Sequence, residues 1–379
     1  MSPSRSAVSP GGGLVALQVQ RGARTHLLLH RPARDDITEI DIPPGVIGGI
    51  GAWSSTGLRF PYSSPLCPSA VATVTGTHLP EKHTWRLAGA AAPTPPETPW
   101  QPAHLERFAG PAGPIEAVVY GDWRTADRVV VALHGGPEAA WELDFNPLFQ
   151  ALASAGAAII APNQRGSTGY GDAHSAAIRD AWGGPDTHDV CHLGMTVRRR
   201  RGGGAPAPML YGESYGAYLA LLATGRAPEL WSRCAVIAPF LSAERLYDDA
   251  TPEVRRLIDR LGGRTSPPTG TADVLAVADR IRVPLLVIHG DSDQRVPVTH
   301  SRRLREHLLS SGRREPTDVR YLEVRGAGHD PLAGPASEAV LDALCSFLAS
   351  RQPARSPHDP VAARPRQPDH ELQKGGDTP

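Results

Sequence analysis

Short apolar runs recur along the middle of the chain, separated by stretches long enough for helices. The runs are continuous rather than alternating, which is typical of parallel strands buried on both faces. The strand candidates are residues 128–134, 157–162, 208–212, 234–239, 284–290 and 319–324. Helix-like segments fill the gaps at 145–155, 215–225, 298–310 and 335–349. The pattern predicts an α/β architecture, a mostly parallel sheet with helices on both faces.

The N-terminal part follows a different pattern, in which strand-like pieces are punctuated by Gly and Pro. The segments "SPGGGLVALQV" and "SSTGLRFPYSS" align with Gly13 and Gly57 at an offset of 44 residues. This offset falls within the ~40–45 residue period of propeller blades. The sequence therefore predicts a small all-β segment over residues 1–88, made of about two propeller-like blades. A chance similarity between two hairpins is the alternative.

Proline-rich segments bound the α/β region on both sides. The stretch "AAAPTPPETPWQPA" can continue neither a sheet nor a helix, so we predict a linker over residues 89–109. The α/β domain then covers residues 110–350. Residues 351–379 are polar, rich in proline and almost free of large apolar side chains, which predicts a disordered tail.

Composition narrows the classes of partner. Lys plus Arg and Asp plus Glu both number 39, so the net charge is zero and no electrostatic footprint favours nucleic acid or an anionic membrane. The four cysteines are scattered, and we interpret them as free thiols. The N-terminus has no apolar segment of secretory length, and no later run reaches the ~18 apolar residues of a membrane span. We therefore expect a cytoplasmic protein that acts on a small substrate.

The most informative motif is "GESYGAY", in which Ser214 lies between Gly212 and Gly216. An apolar strand precedes it and an apolar helix follows it. G-x-S-x-G in this context is the signature of a nucleophile elbow, a sharp turn that only small flanking residues permit. A serine hydroxyl still needs a base to become a nucleophile. A glycine-rich turn kept for backbone reasons alone is the alternative.

Two later strands end in residues that complete such a site. "PLLVIHGDSDQRVP" delivers Asp291 and Asp293 into one turn, and "YLEVRGAGHD" delivers His329 into the next. The order Ser, Asp, His is that of the α/β-hydrolase triad. We predict that His329 is the base, that Asp293 orients it, and that Asp291 caps the turn.

An oxyanion hole needs two preorganised N–H donors. The residue after the nucleophile, Tyr215, supplies the first. The second comes from an earlier strand-to-helix loop, and "ALHGGPEAAW" follows the 128–134 strand in that way. We predict that the Gly136 amide is this second donor.

Four separated segments, in this order, resemble the catalytic domain of the prolyl oligopeptidase family. They are "HGGPEAAWELDFNPLFQALASAGAAIIAPNQRGSTGYG", "AWGGPDTHDV", "GESYGAY" and "HGDSDQRVP". The resemblance covers roughly residues 110–350 and implies an α/β-hydrolase fold and peptide-bond hydrolysis through an acyl-enzyme. It also implies that Asn163 and Arg165 of "NQRGSTGYG", together with His134, organise the loops near the site rather than perform chemistry.

The sequence departs from the family pattern in front of this domain. Members usually carry a multi-bladed propeller over the active site, and about 100 residues are far too few for one. Two blades cannot close a ring, so we expect unpaired strand edges that are covered by the hydrolase, a partner or a second copy of the chain. Anchoring residues that some members place in the propeller cannot be transferred.

The segment "HDVCH" raises the alternative of a zinc site, because His188 and His192 are spaced i, i+4 on one helix face. Asp189 replaces the glutamate that this zinc motif requires, and the family resemblance assigns the segment to a structural helix. We therefore predict no metal and no cofactor.

Three functional hypotheses follow. The first is a serine peptidase of the prolyl oligopeptidase or acylaminoacyl peptidase type acting on short peptides. The second is a carboxylesterase or thioesterase that uses the same triad. The third is a truncated, non-catalytic or partner-dependent protein, which the short N-terminal region favours and the complete triad opposes.

Overall fold

A computed structural model describes residues 5–78, 82–88, 99–263 and 272–349. Its N-terminal part contains two antiparallel sheets. The first has the chain order β1 (Arg5–Val8), β2 (Val15–Arg21), β3 (Arg24–Arg31) and β4 (Asp36–Ile40). The second contains β5 (Val46–Ile47), β6 (Trp53–Ser54), β7 (Gly57–Ser64), β8 (Cys67–His78) and β9 (Lys82–Ala88). Its order is β5-β7-β8-β9, with β6 paired to β7.

The repeated glycine marks the same place in both sheets. Gly13 lies just before β2, and Gly57 is the first residue of β7, so each lies at the start of an inner strand. Gly57 has a φ of +126°, and a Cβ there would lie 2.7 Å from the Val74 carbonyl oxygen. The two sheets share one apolar core, which includes Leu27 and Phe60. The predicted all-β segment is confirmed.

The rest of the described chain forms one large sheet. Its strands are β10 (Ala103–Gly110), β11 (Gly113–Tyr120), β12 (Arg128–Leu133), β13 (Ala157–Pro162), β14 (Met209–Glu213), β15 (Cys234–Ile237), β16 (Leu285–Gly290) and β17 (Val319–Val324). Within the described residues the order is β10-β11-β13-β12-β14-β15-β16-β17. Strands β12 to β17 run parallel, whereas β11 pairs antiparallel with both β13 and β10. The mostly parallel sheet is confirmed.

The hairpin corrects the predicted domain boundary. Strand β10 lies inside the range 89–109 that the sequence assigned to a linker, so the large sheet begins at Ala103 and not at residue 110. The cause is that β10 is an edge strand in which His104, Glu106 and Arg107 interrupt the apolar residues, and only Phe108 is fully buried. A strand of this kind lacks the continuous apolar run that identifies the central strands. Residues 89–98 of the predicted linker and the predicted disordered tail, 351–379, lie outside the described residues.

Helices cover both faces of the sheet. They are α1 (Pro147–Ser154), α2 (Asp172–Ala176), α3 (Pro185–Arg201), α4 (Tyr215–Arg226), α5 (Ala243–Asp249), α6 (Pro252–Arg260), α7 (Val274–Ala278), α8 (Thr299–Ser310) and α9 (Ser337–Ala349). Successive residues of β12 enter different cores: Val129 and Val131 pack with α3 and α4, and Val130 and Ala132 pack with α1 and α9. Across the described ranges, no helix has the length and apolarity needed to cross a bilayer.

The β2–β3 turn docks the N-terminal sheets onto the large domain. The Gly22 N–H donates to the Gly169 carbonyl at 2.8 Å, and the Leu143 N–H donates to the Ala23 carbonyl at 2.8 Å. Gly22 has a φ of +61°, and a Cβ there would lie 2.5 Å from Glu116 Oε1. The left-handed backbone conformation at this turn therefore favours glycine, and a larger residue would also have to displace the Glu116 side chain.

The same interface buries two carboxyl groups. The Gln20 side-chain amide donates to Glu142 Oε1 at 3.0 Å. Burial, and then the nearby Asp144 carboxylate, raise the pKa of Glu142 to about 7. Burial raises the pKa of Asp144 to about 6. Ionisation of these groups therefore opposes folding.

We expect Glu142→Gln to stabilise the protein in a pH-dependent way. Because the pKa of Glu142 is higher in the folded state, the folded protein binds more protons than the unfolded chain, and its free energy of unfolding falls as pH rises from about 5 to 7. The variant lacks this loss and should be more stable at pH 8 by ~2 kcal/mol, with the difference shrinking towards pH 5.

Urea unfolding at several pH values measures this difference. Glu306→Gln, which removes an exposed carboxylate, is the matched control and should change stability little. A difference between Glu142→Gln and the parent that does not change with pH would contradict the prediction.

Candidate active site

Ser214 occupies the turn between β14 and α4 in a strained backbone conformation. Its φ is +52° and its ψ is −116°. A Cβ on Gly212 would lie 2.3 Å from the Gly216 carbonyl oxygen, and a Cβ on Gly216 would lie 2.3 Å from the Leu133 carbonyl oxygen. Neither position has room for a side chain. The strain and the close approach of α4 to the sheet together hold Ser214 at the elbow.

His329 and Asp293 complete a continuous chain of contacts with this serine. His329 Nε2 lies 2.9 Å from Ser214 Oγ. His329 Nδ1 lies 2.7 Å from Asp293 Oδ2. A carboxylate oxygen at Nδ1 favours the tautomer whose proton is on Nδ1, which leaves Nε2 free to accept the serine proton.

Asp293 is fixed by more than the histidine. Its Oδ1 accepts hydrogen bonds from the backbone N–H of Arg295 at 2.8 Å and of Val296 at 3.0 Å. Burial by itself would raise the pKa of Asp293, but hydrogen bonds from His289 and His329, and the charge of a protonated His329, hold it well below its usual range. The carboxyl group is therefore ionised throughout the neutral range.

The neighbouring Asp291 has a different environment. Its Oδ1 accepts a hydrogen bond from the Gly326 N–H at 2.7 Å and another from the Ser292 hydroxyl at 2.9 Å. These contacts connect the two loops that follow β16 and β17. The structure thus brings Asp293 to His329 and uses Asp291 to brace the turn.

Sequence reasoning missed His289, which is completely buried behind Asp293. His289 Nε2 lies 3.3 Å from Asp293 Oδ2 and 2.9 Å from the Val296 carbonyl oxygen, and Nδ1 lies 2.7 Å from Ser301 Oγ. The signal was present in "HGDSD", where this histidine is the last-but-one residue of β16, four residues before the aspartate. Its partners could not be known without the fold.

The "HGG" loop passes directly beside the serine. A Cβ on Gly135 would lie 3.4 Å from the Ser214 Cβ. Gly136 has a φ of +124°, and a Cβ there would lie 2.9 Å from the Glu138 backbone nitrogen, so glycine is required. Gly135, Gly136 and Tyr215 all line the cavity in front of Ser214.

His134 is buried beneath this loop. Its Nδ1 donates to the Gly135 carbonyl at 2.7 Å, and its Nε2 lies 2.8 Å from Ser167 Oγ. Burial lowers the pKa of His134 to about 4, so the ring is neutral at pH 7. It therefore connects the "HGG" loop to the "NQRGSTGYG" loop without adding charge to the site.

Asn163 and Arg165 hold the surrounding segments. Asn163 Oδ1 accepts from the Trp141 N–H at 2.7 Å, and its Nδ2 donates to the Trp141 carbonyl at 2.9 Å. Arg165 donates from Nη2 to Asp189 Oδ1 at 2.6 Å and to the Pro185 carbonyl at 2.8 Å. These two side chains fix loops and make no contact with Ser214.

The Arg165 contact also bears on the zinc interpretation, because Asp189 is the second residue of "HDVCH" and its carboxylate is paired with Arg165. In the part of the chain that the structure describes, no three His, Cys, Asp or Glu side chains gather in an arrangement that could hold a metal ion.

A cavity of about 730 Å³ opens in front of Ser214. One wall is apolar and consists largely of Trp182, Tyr215, Phe240, Ile258 and Val296. The carboxyl side chains of Glu213 and Asp330 also belong to the lining. Trp141 also contributes to the lining. The cavity therefore presents an apolar surface to whatever binds beside Ser214.

Glu213, the variable residue of G-x-S-x-G, was not singled out from the sequence. Burial, and then the nearby Asp330 carboxylate, raise its pKa to about 7. The Tyr211 hydroxyl donates to Glu213 Oε2 at 3.4 Å. A carboxyl group that titrates near neutrality thus lies beside the serine.

The elbow, the parallel sheet and the order of the three contact residues define an α/β-hydrolase fold. The sequence model of the prolyl oligopeptidase family matches residues 143–351, which is more than half of the chain. The protein belongs to the prolyl oligopeptidase family.

Individual relatives are distant. The chain is 28% identical over 204 residues to the uncharacterized peptidase YuxL of Bacillus subtilis, covering 50% of this chain and 29% of the relative. It is 26% identical over 183 residues to the acylamino-acid-releasing enzyme of Sus scrofa, covering 46% and 25%. The fold is similar to that of a puromycin-hydrolyzing peptidase of Mycobacterium tuberculosis, with a TM-score of 0.76, 22% identity, and coverage of 91% of this chain and 53% of that one. The matched region thus spans under a third of these two relatives and about half of the solved structure.

We expect the two aspartates of the "HGDSD" segment to differ in their effect on hydrolysis of a p-nitrophenyl ester. Asp293→Asn removes the acceptor that sets the His329 tautomer, so kcat should fall by about 10³–10⁴-fold. Asp291→Asn keeps an oxygen for the Gly326 N–H and should change kcat less than about threefold.

Steady-state kinetics of both variants, with circular dichroism spectra to verify folding, decide the point. Equal losses at the two positions would contradict the assignment of Asp293 as the partner of His329.

Proposed function

We propose that this protein is a serine peptidase that cleaves peptide bonds of short peptides through an acyl-enzyme, in the manner of prolyl oligopeptidases and acylaminoacyl peptidases. The observation that carries the proposal is the unbroken contact chain from Ser214 through His329 to Asp293 at the floor of the cavity. Family membership supports peptides as the substrate class.

In the proposed reaction, His329 Nε2 takes the proton of Ser214 as Oγ attacks the carbonyl carbon of the scissile bond. Negative charge then develops on the carbonyl oxygen, where the backbone N–H groups of Tyr215 and Gly136 stabilise it. Asp293 stabilises the imidazolium form of His329.

His329 next donates its proton to the leaving amine, and the carbon–nitrogen bond breaks to give the acyl-enzyme. Water then attacks the ester with the same histidine as base, which releases the acid and restores Ser214. Protonation of the leaving group matters most for amides, because an amine anion is a much poorer leaving group than a phenolate.

The apolar wall supports a preference on the acyl side of the scissile bond. Trp182 and Tyr215 contact edge to face, with ring centroids 5.1 Å apart, and Phe240 closes the same surface. We propose that this wall receives a large apolar side chain or acyl group. An esterase or thioesterase would use the same wall, so the leaving group separates these two activities.

We expect a fluorophosphonate probe to label the purified protein at Ser214 alone, because only an activated serine reacts with it at an appreciable rate. Mass mapping of the adduct measures this. Ser214→Ala, the matched control, should lose the label and also lose turnover by about 10⁴-fold or more, with its fold intact. Absence of labelling in folded protein would favour the non-catalytic or partner-dependent alternative.

We further expect hydrolysis of aminoacyl p-nitroanilides as well as p-nitrophenyl esters, because His329 is placed to protonate an amine. Parallel measurements of kcat/KM with the same acyl group on both leaving groups test this. Ester hydrolysis without any anilide hydrolysis would replace the peptidase proposal with the esterase alternative.

A further inference from the structure

Asp186 is a buried carboxylate that the proposed mechanism leaves without a role. It lies in the first turn of α3 and is 0% exposed. Burial raises its pKa to about 6, because the ionised carboxylate loses favourable solvation in the interior. A buried charge of this kind needs specific partners.

One of those partners belongs to the active site. Asp186 Oδ2 accepts a hydrogen bond from the Tyr215 hydroxyl at 2.6 Å. The remaining contacts are local to α3: Oδ1 accepts from the Thr187 N–H at 2.8 Å, and Oδ2 accepts from the Gly183 N–H at 3.3 Å. The carboxylate thus connects the start of α3 to the side chain of the residue that follows the nucleophile.

Tyr215 contributes to the site through its backbone and through its side chain. Its backbone N–H follows Ser214 and is the proposed first oxyanion donor. Its ring is buried, lines the cavity and packs edge to face against Trp182. Because the ring is held at its far end by a hydroxyl group, loss of that bond frees both the cavity wall and the first turn of α4 to shift.

We propose that Asp186 is a positioning residue: through the Tyr215 hydroxyl it holds the tyrosine ring as the wall for the acyl side chain and steadies the backbone N–H beside Ser214. This inference rests on the proposed function. It assigns Asp186 a role in selectivity and rate that goes beyond capping α3.

A purely structural Asp186 would behave differently. Loss of its contacts with Gly183 and Thr187 would lower thermal stability but leave the kinetics of correctly folded molecules unchanged. Rate constants normalised to the fraction of molecules that a fluorophosphonate titrates therefore separate the two roles.

The test compares Tyr215→Phe, Asp186→Asn and the double variant. Tyr218→Phe is the matched control: Tyr218 belongs to the same aromatic cluster and is equally buried, but its hydroxyl donates to the backbone carbonyls of Ala272 at 2.8 Å and Trp182 at 3.4 Å and not to Asp186. Tyr218 is not among the described residues that line the cavity. The substrates are phenylalanyl and alanyl p-nitroanilides and the corresponding p-nitrophenyl esters, and melting temperatures are recorded for every variant.

We expect kcat/KM for the phenylalanyl substrates to fall about tenfold in Tyr215→Phe and in Asp186→Asn, and the ratio of phenylalanyl to alanyl kcat/KM to fall with it. The double variant should have a kcat/KM no lower than that of the less active single variant, because both changes remove the same interaction. Tyr218→Phe should lower the melting temperature without changing that ratio.

An active parent protein whose Tyr215→Phe variant keeps both the rate and the ratio would overturn this inference alone. The same holds if the two single effects multiply in the double variant. If Asp186→Asn does not fold, the rate and the substrate ratio of Tyr215→Phe are sufficient to test the inference. A parent protein that hydrolyses neither esters nor anilides would overturn the proposed function and this inference together.

Discussion

The close approach of α4 to the strand edge is the constraint on which the rest of the site depends. Gly212 and Gly216 have no room for even a methyl group, and Ser214 accepts an unfavourable φ of +52° at the apex of the turn. A strained serine of this kind persists only where packing on every side determines it. Here the Ser214 N–H also donates to the Ile237 carbonyl of β15, at 2.8 Å, which joins the elbow to the centre of the sheet.

Buried polar contacts then fix the loops around the elbow. His134, Asn163 and Arg165 each connect two segments that are distant in sequence, and the acceptors are mostly backbone carbonyls or a single carboxylate. Buried polar groups are costly unless they are paired, so such networks favour one arrangement of the loops over many. The Asp186 to Tyr215 contact belongs to the same class, and it too reaches a residue of the cavity wall.

The two N-terminal sheets are held to the catalytic domain through turns rather than through a closed propeller. Gly22 and Ala23 of one hairpin turn bond to loops that begin close to the active site, and the interface carries carboxyl groups whose pKa values are raised. The chain covers only about half of the solved structure that it resembles.

The sequence by itself determined the central strands, the helix that follows the nucleophile and the order of Ser214, Asp293 and His329, because buried parallel strands are continuous apolar runs and an elbow leaves its own glycine pattern. It did not reveal strand β10, which mixes polar and apolar residues and lies at the sheet edge. Only the tertiary structure brought His289 behind Asp293 and Asp186 to Tyr215. Those partners are far apart in the chain, and no local pattern encodes a contact that depends on how loops from different strands meet.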